Sequence, residues 1–254
     1  MPRYQVSEHP CTQLFLVGMS DAGFYFHAYQ LYLVSVLHDS DKTRVQLLSS
    51  ITKTNHVHDR TIPYYEMTAI VELMTEIKKV ILYLESKQFH IPVENVRLLT
   101  DSECSLIWAR VLRTRFKIGV QTLITKLTLT LYDLNLCPFK NLNFIDQTTY
   151  QFPVDALTKL NPKESFKTIQ ERHKRIRECD WLNSKDTLLE VINKPWIPKH
   201  EAQTYMQEAE PLADFKYLLE SGINQLKTDI TSSQTTNVIT FYNELNKLLE
   251  LKSP

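Results

Sequence analysis

The chain has 254 residues with 29 basic and 29 acidic side chains, so its formal net charge is zero and it carries no whole-molecule electrostatic footprint for nucleic acid. Hydrophobic residues make up 43% and charged residues 23%, the balance of a folded protein with one sizeable core plus a smaller unit rather than of a disordered chain. No apolar stretch approaches the ~20 residues of a membrane span and the polar stretch 1–10 is no signal peptide, which predicts an intracellular protein, cytoplasmic or nuclear.

Leu14, Phe15, Leu16, Val17, Gly18 and Met19 form a short apolar run that stops at Ser20-Asp21-Ala22-Gly23. That pattern predicts a buried strand with Asp21 at its carboxyl end. Residues 24–37 are rich in aromatic and β-branched side chains, break at His38-Asp39-Ser40-Asp41-Lys42, and resume over 44–51, so three successive antiparallel strands are expected. The break lacks the Gly and terminal Glu of a calcium loop and reads as a turn.

After the polar loop 52–60, Pro63 suits the first turn of a helix, and Met67, Ile70, Val71, Met74, Ile77, Ile81 and Leu84 recur at helical spacing. Glu66 is expected in that first turn, where the helix dipole favours a carboxylate. Residues 96–100 read as a strand ending at Asp101, and Ser102 and Glu103 open a helix through Leu106, Ile107, Val111 and Leu112. A strand-helix-strand unit of this kind makes the new strand parallel to an earlier one. Over 116–131 a helical face (Phe116, Val120, Leu123, Ile124, Leu127, Leu131) competes with strand-like alternation at 127–131, and helix is expected for most of it. Residues 141–146 read as a fifth strand, and Pro153 marks a last helix start with Asp155 in its opening.

Asp21, Glu66, Asp101 and Asp155 thus stand at the ends of four separate elements. Any one of them could be there only to cap a helix or end a strand. As an ordered set they suit a two-metal site, because hard divalent cations about 3.5–4 Å apart want carboxylate oxygens around a phosphodiester. The element order is that of a ribonuclease H-like α/β domain, a five-stranded mixed sheet flanked by helices with expected strand order 3-2-1-4-5.

The motifs around the acids carry a resemblance. Ser20-Asp21-Ala22-Gly23, Ile62-Pro63-Tyr64-Tyr65-Glu66-Met67, Thr100-Asp101-Ser102 and Phe152-Pro153-Val154-Asp155 stand in order, with Leu47-Leu48-Ser49-Ser50 and Leu106-Ile107-Trp108 between them. Over residues 21–161 this series resembles the ribonuclease H region of Bel/Pao-type retrotransposon polyproteins. The resemblance implies a nuclease that cuts the RNA strand of an RNA/DNA hybrid with Mg²⁺ or Mn²⁺, beside a polymerase domain of the parent polyprotein. It also implies that Asp21 bridges both metals, that Asp155 serves the ion activating water, and that Glu66 and Asp101 hold the ion at the leaving oxygen. Glu66 would in addition lie near the 2′-hydroxyl that distinguishes RNA from DNA.

The chain departs from the family at Tyr64 and Tyr65, where Arg and Leu are usual, at Phe152, where Asn is usual, and at Asp146, near a position often held by His. These departures keep a second reading open, a domesticated or decayed module with the fold but no catalysis, binding nucleic acid or protein. Asp21-Ala22-Gly23 is not an aspartic peptidase motif, because Ala22 has no hydroxyl for a carboxylate dyad. Local phosphate contacts would fall to Arg110, Arg113, Arg115 and Lys117, or to the basic run Arg172-His173-Lys174-Arg175 with Arg177. A solvated helix face explains both groups equally well.

Cys11, Cys104, Cys137 and Cys179 form no Cys-x-x-Cys pair and read as free thiols. The zinc-binding pattern of a retroelement integrase and the Tyr-x-Asp-Asp motif of a polymerase are absent from the sequence. His56-Val57-His58-Asp59 has metal-ligand residue types but sits in a polar loop without a fixed partner. From Pro162 the composition shifts to helical segments separated by Pro195, Pro198, Pro211 and a polar run, so a ribonuclease H-like domain over 1–161 and a helical extension over 162–254 are expected.

Overall fold

A computed structural model describes residues 11–37, 41–55, 60–110, 115–116, 118–159, 168, 171, 179–194 and 209–210. Five strands build the central sheet: β1 (Cys11–Ala22), β2 (Phe26–Leu37), β3 (Thr43–Thr54), β4 (Val96–Thr100) and β6 (Leu142–Phe144). The spatial order is β3-β2-β1-β4-β6. β1, β2 and β3 pair antiparallel, whereas β1 with β4 and β4 with β6 pair parallel. This is the expected mixed ribonuclease H-like sheet, with the antiparallel half folded locally and the parallel half reached through helices. A separate two-residue pairing joins β5 (Arg115–Phe116) to β7 (Ala209–Glu210).

Alternation along β1 decides how the layers form, since successive side chains leave a strand on opposite faces. Leu16 joins the core under α1 (Ile62–Ser86), together with Leu31, Leu98, Met67, Ile70, Leu73, Met74 and Ile77. Phe15, Val17 and Met19 join the core on the other face, with Tyr32, Val34 and Leu99. α2 (Glu103–Arg110) and α3 (Ile118–Asp133) complete the first layer through Leu106, Trp108, Val120, Leu123 and Leu127. Helix therefore wins over strand for 118–133, because its apolar face at three- and four-residue spacing has a layer to pack on.

α1 comes close to the sheet at Gly18, where an added Cβ would lie 2.8 Å from a Leu73 methyl. The second face is covered by later residues. Trp181, Leu182 and the α6 helix (Lys185–Asn193) place Leu188, Val191 and Ile192 against Phe15, Val17 and Met19. The Asp41 carboxylate accepts from the Ser184 hydroxyl at 2.6 Å and from the Asp186 amide at 3.1 Å, joining the β2–β3 turn to the start of α6.

Two differences from the sequence reading bear on the site. β1 runs on through Asp21 to Ala22 because its ladder with β2 continues to Ala22 opposite His27. α1 starts at Ile62, so Glu66 lies beyond its first turn, which contains no acidic residue. Among the described residues no helix is long and apolar enough to cross a membrane. Cys104, Cys137 and Cys179 are free thiols.

Candidate metal centre

Asp21, Glu66 and Asp101 converge at the carboxyl ends of β1 and β4, each offering a carboxylate oxygen within 4.8 Å of the others. Three elements deliver them: the end of the central strand, the second turn of α1, and the residue that follows β4. Parallel pairing of β1 with β4, Met19 opposite Leu99, aligns the two strand ends and so brings Asp21 beside Asp101.

The neighbouring side chains orient the trio. The Thr158 hydroxyl donates to Asp21 Oδ2 and the Gln147 amide donates to Asp101 Oδ2. Ser102, whose Oγ also accepts from the Ser105 amide at 3.1 Å at the start of α2, hydrogen-bonds the Glu66 carboxylate. Asp101 Oδ1 is buried without a hydrogen-bond partner among the described residues.

Burial and mutual repulsion make the negative charges costly. Desolvation, opposed by Ser102 and augmented by Asp101 and Asp21, pushes Glu66 up to about 8. Asp101 is pushed up to about 7, first by desolvation and then by Asp21. Asp21 is raised too, again chiefly by burial, while the Thr158 hydrogen bond works the other way. Three crowded carboxylates with an unpartnered buried oxygen are a donor set for a hard divalent cation, which prefers oxygen ligands and would offset the repulsion.

Asp155 opens α5 (Asp155–Thr158) and stands outside the close trio. Its Oδ1 is paired with the Lys159 ammonium at 2.5 Å. Its charge nevertheless reaches Asp21 and Asp101, whose acidities it lowers. The structure therefore brings three of the four sequence acids together and leaves the fourth on the rim, tied to a lysine.

Thr158, Gln147 and Lys159 were not singled out from sequence. Thr158 had a signal in its place three residues after Asp155, on the same helical face. Gln147 had none. Phe152, where the family has Asn, is buried in the second core beside Val154. Tyr65 stacks on His27 with ring centroids 6.1 Å apart, and Arg60 lies 4.9 Å over the Tyr64 ring. The departures from the motifs are thus taken up by packing. Of the basic candidates, Arg113, Lys117, Arg172, His173, Lys174, Arg175 and Arg177 lie outside the described residues, as do the side chains of Arg110 and Arg115. His56-Val57-His58-Asp59 also lies outside them.

Among solved structures the chain is similar to the N-terminal RNase H domain of rv2228c from Mycobacterium tuberculosis, at 8% identity and a TM-score of 0.31, covering 54% of this chain and 90% of that one. It is also similar to RNase H1 from Halobacterium salinarum, at 10% identity and a TM-score of 0.31, covering 54% and 88%. RuvC from Thermus thermophilus shares 10% identity at a TM-score of 0.30, covering 78% and 100%. The fold rests on strand order and pairing rather than on these likenesses. No curated protein sequence matches the chain. The family whose model does match is the Pao retrotransposon-like RNaseH-like domain, over residues 1–102, a stretch that contains Asp21, Glu66 and Asp101.

Proposed function

We propose that this protein is a metal-dependent nuclease that cleaves the RNA strand of RNA/DNA hybrids. The observation that carries the reading is the meeting of Asp21, Glu66 and Asp101 within 4.8 Å, in an environment that disfavours their charge until a cation is present. Asp21, Glu66 and Asp101 would hold Mg²⁺ or Mn²⁺, with Asp155 as the fourth ligand once it leaves Lys159. Divalent cations at such a site supply Lewis acidity toward water and charge neutralisation at the phosphodiester.

The chain's own residues contribute orientation. Thr158 and Gln147 each hold one oxygen of an aspartate, and Oδ1 of Asp101 is left without a hydrogen-bond partner among the described residues. Ser102 fixes Glu66 from the start of α2. Lys159, paired with Asp155 and raised in basicity first by that hydrogen bond, keeps a cation at the rim. A polymerase domain of a parent polyprotein, the partner that the family resemblance suggests, would hold the hybrid.

The test is hybrid cleavage with labelled RNA at low salt, in Mg²⁺ and in Mn²⁺, comparing the parent with Asp21→Asn and Asp101→Asn. Metal-dependent product from the parent and none from either variant is expected. Folded parent that binds hybrid but yields no product would instead favour a non-catalytic module, the reading to which the Asp155–Lys159 pair lends its support.

A further inference from the structure

The turn that follows Asp21 presents two aromatic rings to solvent. Phe24 is 57% exposed and Tyr25 55%, with ring centroids 4.8 Å apart in an edge-to-face arrangement. Single exposed aromatics are ordinary on protein surfaces. Here two adjacent rings sit on a turn whose backbone is fixed from several sides.

Asn55 is the anchor of that turn. Its side-chain amide donates to the carbonyl oxygens of Gly23 at 2.8 Å and Phe24 at 3.3 Å, and its backbone N–H donates to Tyr25 at 2.8 Å. The Gly23 N–H donates to the Phe26 carbonyl at 2.8 Å. Asn55 Oδ1, left as an acceptor, meets the buried His27 Nδ1 at 2.7 Å. On the other side the turn abuts α5, since a Cβ on Gly23 would lie 3.0 Å from the Thr158 carbonyl oxygen. The backbone that carries the rings is therefore held between the end of β1 and the helix that carries Asp155.

Fixing an apolar pair in water gains nothing for the fold, whereas it lowers the ordering cost of a contact with something else. The distance to the carboxylates limits what that is. Three residues of extended chain reach no more than about 10 Å, so the Phe24 backbone lies within that span of Asp21. Only the nucleotides next to the cleaved bond come within reach. The minor groove of an A-like duplex is wide and shallow, with riboses and base edges on display to a side chain approaching from the surface.

We propose that Phe24 and Tyr25 are substrate-contact residues that lie against the riboses and base edges flanking the scissile phosphodiester of an RNA/DNA hybrid. The inference rests on the nuclease reading and adds an uncharged binding element to it. A contact of this kind tightens binding without neutralising phosphates, so it leaves the salt dependence unaltered.

The experiment compares the full chain with a Phe24→Ser/Tyr25→Ser double variant in steady-state hybrid cleavage at several salt concentrations, with thermal melts with and without Mg²⁺. Expected are a KM raised roughly tenfold, in line with aromatic contacts to nucleotides, a kcat within about twofold, and an unchanged slope of log affinity against log salt. The Mg²⁺-induced melt shift should stay as in the parent, and the conservative Phe24→Tyr/Tyr25→Phe variant should keep the parental KM. A serine variant whose KM stays within about twofold of the parent overturns the proposal. So does one that loses kcat and the melt shift together, because the rings would then be supporting the carboxylates. A parent chain that neither binds nor cleaves hybrid removes the nuclease reading itself, and this inference with it.

Discussion

The Thr158 hydroxyl donates to Oδ2 of Asp21, joining the last residue of a four-residue helix to the end of the central strand. The same hydroxyl lies 3.1 Å from the Asp155 carbonyl, so one side chain ties the late helix to the first of the site's acids.

Replacing Thr158 with Val keeps the volume and removes that donor. Metal affinity should fall about tenfold while the fold persists, as for other hydrogen bonds that orient metal ligands. A Mg²⁺ titration of the thermal melt measures it, and an unshifted midpoint would show that Asp21 does not depend on Thr158.

Stability without metal should depend on pH in a defined direction. Glu66 is raised from 4.5 to about 8 and Asp101 from 3.8 to about 7, so the native protein keeps protons that the unfolded chain has already released. Their contribution is full below the unfolded values and is lost as pH rises through about 7–8. Melting temperature in chelator should therefore decline between about pH 5 and pH 9, and Mg²⁺ should lessen the decline because it binds the ionised carboxylates. A decline of equal size with and without Mg²⁺ would contradict the assignment of these groups to a metal site.

Asp101→Asn should separate stability from function. It removes one of the crowded charges and keeps an oxygen for Gln147 to donate to, so the metal-free protein should gain roughly 2–4 °C above neutral pH, equivalent to about 1 kcal/mol. The Mg²⁺-dependent gain should largely vanish in the same variant. Calorimetry in chelator and in Mg²⁺ reads both, and a destabilised metal-free variant would mean that the carboxylate is held by attraction rather than crowding.

Gly18→Ala probes the approach of α1 to the sheet. The new Cβ would sit 2.8 and 2.9 Å from the Leu73 methyl carbons in a fully buried layer, and overpacking of this kind costs about 1–3 kcal/mol. Urea denaturation measures the loss. A variant as stable as the parent would show that Leu73 has room to change rotamer.

The central strands were legible because they are apolar runs closed by polar turns, and β4 begins and ends where its pattern does, at Val96 and Thr100. Pro63 suits either of the first two positions of a helix, so the sequence leaves the start of α1 open, and the start at Ile62 puts Glu66 beyond the first turn. Three acids of the site followed from their place at element ends. The groups that hold them did not, since Gln147 reaches Asp101 only through tertiary folding across 46 residues. Likewise helical segments are expected after Pro162, but nothing in their sequence says which surface Leu188 and Ile192 will cover.

That covering has a practical consequence. A fragment cut after Asn161 would retain Asp21, Glu66, Asp101 and Asp155 with the motifs around them. It would also lose Trp181, Leu182 and the helix that shield Phe15, Val17 and Met19. Such a fragment should self-associate through its bare sheet, which sedimentation would reveal, and an inactive preparation of it would report on the missing cover rather than on the chemistry.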